Sequence, residues 1–197
     1  MASESTIECR LLRDDAAPGA WNMAVDDMLL EQGSHMLLEQ GSANATFCLR
    51  FYRWSEPTLS LGYFQPYADR QTHRASRDCA LVRRTSGGGA ILHDQELTYS
   101  LVAPARHLMS KETEWLYITV HEALIETLAR FGVTASINRS NPRLRPEDEP
   151  FLCFERRAVG DVVLDGFKIA GSAQRRRQNT WKHKGQFHGQ LNIPRTL

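Results

Sequence analysis

The chain has 197 residues, the size of one domain with a substantial buried core, and residues 1–197 are read as a single domain. A hydrophobic content of 42% is ordinary for a soluble globular chain, and a formal net charge of +1 argues neither for nor against a general nucleic-acid binder. No apolar run approaches the roughly 20 residues of a membrane helix. The opening Met1-Ala2-Ser3-Glu4-Ser5-Thr6 has neither the basic nor the apolar segment of a signal peptide. A cytoplasmic protein without membrane or nucleic-acid partners is therefore expected.

In chain order, Trp21, Ala24, Val25, Met28 and Leu29 recur at helical spacing and predict an amphipathic helix. The run Met28 to Ser34 is repeated as Met36 to Ser42. Two copies make no solenoid, so the repeat reads as a local duplication that lengthens a loop or helix end. Alternation predicts strands over 46–54, 58–64, 80–84, 90–93 and 97–103. Ser110 can cap a helix whose face carries Leu116, Val120, Leu124 and Leu128, with Gly132 ending it. Ser140 to Pro150 is polar and contains three prolines, which predicts a loop. Asp165-Gly166 between two apolar runs is a hairpin signal, and 186–193 closes the chain as a strand. Strands outnumber helices and hairpins replace regular βαβ alternation. The expected class is α+β, a mixed or antiparallel sheet with packed helices.

The chemistry concentrates in a few segments. Arg83-Arg84-Thr85-Ser86-Gly87-Gly88-Gly89-Ala90-Ile91-Leu92-His93-Asp94 joins two guanidinium forks to three glycines. The forks suit carboxylate or phosphate. The glycines can take φ > 0 and let backbone N–H groups close on an anion; a bare flexible loop is the alternative. Lys168 lies in an apolar strand before Gly171-Ser172-Ala173. It is either an edge-strand charge or a cation facing a pocket, where it would stabilise a developing oxyanion. Cys153, between Leu152 and Phe154, is either a small core residue or a thiolate nucleophile. The four cysteines match no metal template and read as cytosolic thiols, most of them buried. His93 and His188 read singly as structural histidines, and Gly189 inside a strand marks a bulge or a close ligand approach. Arg175, Arg176, Arg177, Lys182 and Lys184 form a basic stretch, which reads as a solvated loop, a weak nucleic-acid site or a surface for an acidic protein.

Together these segments resemble the biotin/lipoate protein ligase and acyltransferase family. The match runs through the 83–94 segment, through Lys168-Ile169-Ala170-Gly171-Ser172-Ala173-Gln174-Arg175, and through His188-Gly189-Gln190-Leu191. It also takes in Asn22-Met23-Ala24-Val25-Asp26 and Leu61-Gly62-Tyr63-Phe64-Gln65, and covers nearly the whole chain. The resemblance implies a catalytic domain like those of class II aminoacyl-tRNA synthetases and biotin protein ligases, here without the family's C-terminal elements. Two activities compete within it. A cysteine-dependent octanoyltransferase would take octanoate from octanoyl-acyl carrier protein, hold it as a thioester and pass it to a lipoyl domain or glycine-cleavage H protein, with no cofactor and no metal. Gln95 to Ser100 and the Cys153-Phe154 context resemble that branch. An ATP-dependent lipoate-protein ligase would use free lipoate, ATP and Mg, and the triple glycine resembles that one. A catalytically silent relative that binds a carrier is a third reading. The resemblance makes Cys153 and Lys168 the catalytic residues. It assigns Arg84, Ser86, Gly87, Gly88, Gly89, His93, Gly171, Ser172, His188 and Gly189 to substrate binding.

Overall fold

A computed structural model describes residues 8–39, 47–103, 113–140, 149–179 and 182–191; the side chains of 33–39, of Thr113 and of residues after Arg175 lie outside that description. The elements in chain order are β1 (Cys9–Ala17), α1 (Gly19–Glu39), β2 (Phe47–Trp54), β3 (Thr58–Leu61), β4 (Ala80–Arg83), β5 (Ile91–His93) and β6 (Leu97–Ala103). They continue with α2 (Thr113–Arg130), β7 (Ser136–Ile137), β8 (Val162–Leu164), β9 (Phe167–Asn179) and β10 (Lys182–Leu191). Seven strands form one sheet in the order β1-β2-β6-β10-β9-β8-β7, and β4-β3-β5 form a second. Among the described strands, β1–β2 and β3–β4 pair in parallel and the other pairs are antiparallel. The expected α+β class with mixed sheets is what the chain adopts.

Turn chemistry fixes several connections. Asp165 and Gly166 both have positive φ, 48° and 78°, as a two-residue hairpin loop requires. Gly132, at φ 80°, ends α2, where its N–H and that of Val133 donate to carbonyls of the last turn. The face of α2 that was expected to be apolar is so: Leu116 and Leu128 are buried, with Val120 and Leu124 packed beside them.

Other expectations need correction. β1 was not foreseen, because its alternation is broken by Arg13, Asp14 and Asp15. The strand from Thr58 stops at Leu61; Gly62 to Gln65 turn instead, and Phe64 is 81% exposed. The basic stretch is not a loop, since Arg175 to Asn179 belong to β9 and Lys182 onward to β10. Lys168 is no edge charge either, because β9 lies between β8 and β10. Gly189 pairs in regular register with Tyr99 and Ser172, without a bulge. The Ser110 cap, residues 141–148 of the polar loop and 180–181 lie outside the described residues. The duplicated segment runs on as helix at least to Glu39.

Helix α1 presents a different face from the one its periodicity predicts. Trp21 is 63% exposed, whereas Asn22 and Asp26 are almost fully buried. They face Arg50 of β2, itself 0% exposed. Arg50 Nη1 donates to Asp26 Oδ1 at 2.9 Å, Nη2 to Asn22 Oδ1 at 3.0 Å, and Nε to Asp14 Oδ2 at 2.7 Å. Tyr52 OH adds a bond to Asp26 Oδ2 at 2.8 Å. A buried guanidinium needs partners for its donors, and satisfying it sets the rotation of α1 more firmly than the apolar stripe does.

Candidate active site

The glycine segment places the cysteine. Ala90, which follows Gly89, bridges in parallel to Leu152. Its N–H donates to Phe151 O at 3.2 Å, and Cys153 N–H donates to Ala90 O at 2.7 Å. Cys153 thus opens a short 3-10 turn, Cys153–Glu155, half-buried and facing β9.

Lys168, early in β9, meets it there. Its Nζ lies 3.8 Å from Cys153 Sγ and 3.5 Å from Cys153 O. Asp161 Oδ2 holds the same Nζ at 2.9 Å, and both side chains are nearly inaccessible. Asp161 also accepts from Ala158 N–H at 2.7 Å and from Tyr117 OH at 2.6 Å. Burial, reinforced by the Asp161 carboxylate, pushes the Tyr117 phenol well above its ordinary value, so Tyr117 remains a donor. Gly171 leaves room for the lysine: a Cβ there would stand 2.3 Å from Lys168 Cε.

Ser172 lines the site one residue further along. Its Oγ lies 2.8 Å from His121 Nε2 and 2.5 Å from Tyr99 OH. His121 Nδ1 faces Gly160 O at 2.6 Å, so Nδ1 carries the ring proton and Nε2 accepts from Ser172. Burial, with a contribution from Lys168, holds the His121 pKa below its ordinary value, and the ring is neutral at pH 7.

The arginine pair divides its work. Exposed Arg83 donates to the carbonyls of Gly62, Tyr63 and Gln65 and fixes that turn. Arg84 is 3% exposed. Its Nη1 donates to Ser60 O at 2.9 Å and Ser60 Oγ at 3.2 Å, and its Nη2 to Gly87 O at 2.9 Å and Gly89 O at 2.6 Å. The glycine turn therefore clasps a cation with its carbonyls, unlike the anion cradle expected. Only Gly88 of the three needs positive φ, at 88°. Ser86 is buried, and its Oγ meets no partner among the described residues. His93 is no isolated structural histidine: Nε2 lies 2.7 Å from Ser60 Oγ, and Nδ1 lies 2.5 Å from Glu96 Oε1. Trp54 stacks on its ring with centroids 3.8 Å apart.

Met23, Tyr52, Trp54, Ile91, Gly171, Ala173 and the polar residues Ser60, Arg84, His93, Thr98 and Ser172 line a narrow cleft. Most of their polar atoms are bonded to one another, so the wall is largely carbon and suits an aliphatic tail.

The structure thus brings Lys168 to Cys153 and packs Gly171 against the lysine, while Gly171, Ser172, Arg84 and His93 line the neighbouring cleft. The side chain of His188 lies outside the described residues; its backbone, like that of Gly189, pairs β10 with β6 and β9. Sequence reasoning missed Asp161, Tyr117, His121, Ser60 and Glu96 as site residues, because each is an ordinary polar residue until the fold buries it. Among the described residues no cluster of His, Cys, Asp or Glu could hold a metal, and no helix is long and apolar enough to cross a membrane.

Comparison with known proteins points to one family. Residues 18–193 match the lipoyl protein ligase A/B catalytic domain. The chain is 32% identical over 185 residues to octanoyltransferase LipM of Oceanobacillus iheyensis, covering 92% of this chain and 64% of the relative. It is 36% identical over 186 residues to octanoyltransferase LipM of Moorella thermoacetica, covering 93% and 66%. The chain therefore spans slightly under two thirds of the length of these relatives. A crystal structure of lipoate-protein ligase A bound with ATP shares the fold, with TM-score 0.66 and 23% identity over 95% of this chain and 67% of that one.

Proposed function

Because the chain belongs to the lipoyl protein ligase A/B catalytic domain family, we propose that it is an acyltransferase of protein lipoylation that works through a thioester on Cys153. The donor is octanoyl-acyl carrier protein, and the acceptor is a lysine of a lipoyl domain or of glycine-cleavage H protein. The observation that carries this reading is the approach of Lys168 Nζ to Cys153 Sγ, 3.8 Å, beside an apolar cleft.

In the first step Cys153 Sγ attacks the octanoyl carbonyl. The bond to the donor sulfur breaks, and the donor thiolate takes up the proton that Cys153 gave up. In the second step the neutral amine of the acceptor lysine attacks the acyl-cysteine; an amide forms, and the amine's proton passes to the departing Cys153 thiolate. Lys168 faces the place where negative charge develops in both steps, and Asp161 fixes the ammonium in advance, so little reorganisation accompanies the reaction. The donor is already an activated thioester, so the transfer needs neither ATP nor Mg. The octanoyl tail lies among Met23, Tyr52, Trp54 and Ile91, gaining roughly 0.8 kcal/mol per buried CH₂. Arg175, whose guanidinium stands 4.6 Å over the Tyr63 ring, is the first of the basic residues proposed to attract an acidic carrier.

Mass spectrometry after incubation with octanoyl-acyl carrier protein tests the reading. One octanoyl mass, labile to hydroxylamine, is expected on the wild type, and Cys153→Ser should lose that labile adduct. Lys168→Ala should slow transfer by two to three decades, since one preorganised donor at an oxyanion is worth about 3–4 kcal/mol. Transfer by Cys153→Ala at the wild-type rate overturns the thioester route. Release of pyrophosphate from ATP with free lipoate would identify a ligase instead.

A further inference from the structure

Glu96, His93, Ser60 and Arg84 form one unbroken chain of buried polar contacts. It begins at a carboxylate whose Oε2 accepts Asp94 N–H at 2.8 Å and whose Oε1 lies 2.5 Å from His93 Nδ1. Burial alone would raise the Glu96 pKa, but the hydrogen bond from His93, helped by the backbone N–H of Asp94, outweighs it and holds the pKa below its ordinary value. A carboxylate can only accept. In the neutral ring the proton therefore sits on Nδ1, and Nε2 is left to accept from Ser60 Oγ at 2.7 Å. The Ser60 proton is then committed to His93, which turns the oxygen's lone pairs toward Arg84 Nη1 at 3.2 Å.

The far end of the chain is what requires explanation. Arg84 lines the cleft, and desolvation pulls its pKa down to about 10. No carboxylate among the described residues pairs with it directly. Its Nη1 and Nη2 are taken up by Ser60, Gly87 and Gly89, yet Nε–H has no acceptor among the described residues. A buried cation with a spare donor is costly, and a ligand that brings negative charge relieves that cost. A thiolate at Cys153 would also favour the charged guanidinium, which places Arg84 within electrostatic reach of the reacting sulfur.

We propose that Glu96, His93 and Ser60 are positioning residues that hold Arg84 as the receptor for the negatively charged or carbonyl end of the acyl ligand. The serine, histidine and carboxylate have the connectivity of a hydrolytic triad, but Ser60 is 0% exposed and its oxygen already accepts from Arg84. No carbonyl has a line of attack to it, so the geometry serves orientation and not nucleophilic catalysis. The inference rests on the acyl-handling role of the cleft but not on the thioester.

Calorimetric titration of the protein with octanoate and with 1-octanol tests it, because the two share a tail and differ in charge at the head. Ser60→Ala and Glu96→Gln should each weaken octanoate about tenfold and leave octanol unchanged. The double variant should be no weaker than the worse single one, since both act through one chain. Nitrogen NMR of the histidine rings should show His93 protonated on Nδ1 in the wild type and altered in Glu96→Gln. Equal losses for octanoate and octanol, unchanged octanoate affinity, or a wild-type His93 protonated on Nε2 would each overturn the proposal. So would labelling of Ser60 by a fluorophosphonate, which would make it a nucleophile. If the Cys153 adduct never forms but octanoate and octanol still diverge, the transferase reading fails and this one stands.

Discussion

At the scale of single residues, the contact between Lys168 and Cys153 depends on a missing methyl group. Lys168 reaches Cys153 only because position 171 has no Cβ. One built there would lie 2.3 Å from Lys168 Cε, 2.7 Å from Nζ and 3.1 Å from Asp161 Oδ1. Gly171→Ala should therefore displace the ammonium from its partners without removing any charged group. The expected result is a loss of octanoyl transfer of tenfold or more, about 1.4 kcal/mol in the barrier, with a thermal midpoint within a few degrees of the wild type. Steady-state transfer kinetics beside a melting curve measure both, and full activity in Gly171→Ala would show that Lys168 need not stay where Asp161 holds it. The local setting of Cys153 and Lys168 left a core thiol and an edge-strand charge open, and only the family resemblance singled out these two and Gly171 as site residues. It did not show Asp161, because nothing about an aspartate before a strand indicates that the fold will bury it against a lysine seven positions on.

At the scale of elements, α2 is tied to β9 by a neutral histidine. His121 donates to Gly160 O and accepts from Ser172 Oγ, and its pKa is lowered by burial. In the unfolded chain the same ring titrates near 6.5. Above that pH neither state is protonated and the contribution of His121 is complete. As pH falls through about 6.5 the unfolded state takes up a proton that the folded state resists, so stability declines until the lower, folded pKa is reached. Urea unfolding between pH 7.5 and 5 should show this loss in the wild type, and His121→Gln should flatten that part of the profile. An identical slope in both proteins would mean that other groups set it. Glu96 acts in a lower window: its depressed pKa adds stability above the unfolded carboxylate value, and that stability disappears as pH falls through the folded one. The helical periodicity of α2 predicted its apolar face correctly, because Leu116 and Leu128 dominate what that face buries. It could not show that His121 lies among them as a hydrogen-bonding residue.

At the scale of the whole molecule, one buried cation joins three elements. Arg50 binds Asp14 of β1 and Asn22 and Asp26 of α1 while standing in β2. Removing one partner of a buried ion pair typically costs about 3–5 kcal/mol, so Asp26→Ala should lower the unfolding free energy by that order in a urea titration. A change below about 1 kcal/mol would show that α1 is held by its apolar contacts alone. The larger sheet carries Lys168, the smaller one carries Ser60, Arg84 follows its strand β4, and the bridge from Ala90 to Leu152 brings Cys153 up to them. By itself the sequence determined the α+β class, most strand positions, the Asp165-Gly166 hairpin and the family. Those rest on local signals: alternation, turn residues and motifs contiguous in the chain. Only the tertiary structure decided which face of α1 turns inward, that Lys168 lies on an interior strand, and that the glycine turn encloses Arg84. It also decided that Glu96, His93 and Ser60 connect to it. The reason is the same in each case: a polar side chain buried by distant elements must find its partners there, and that requirement overrides the local pattern.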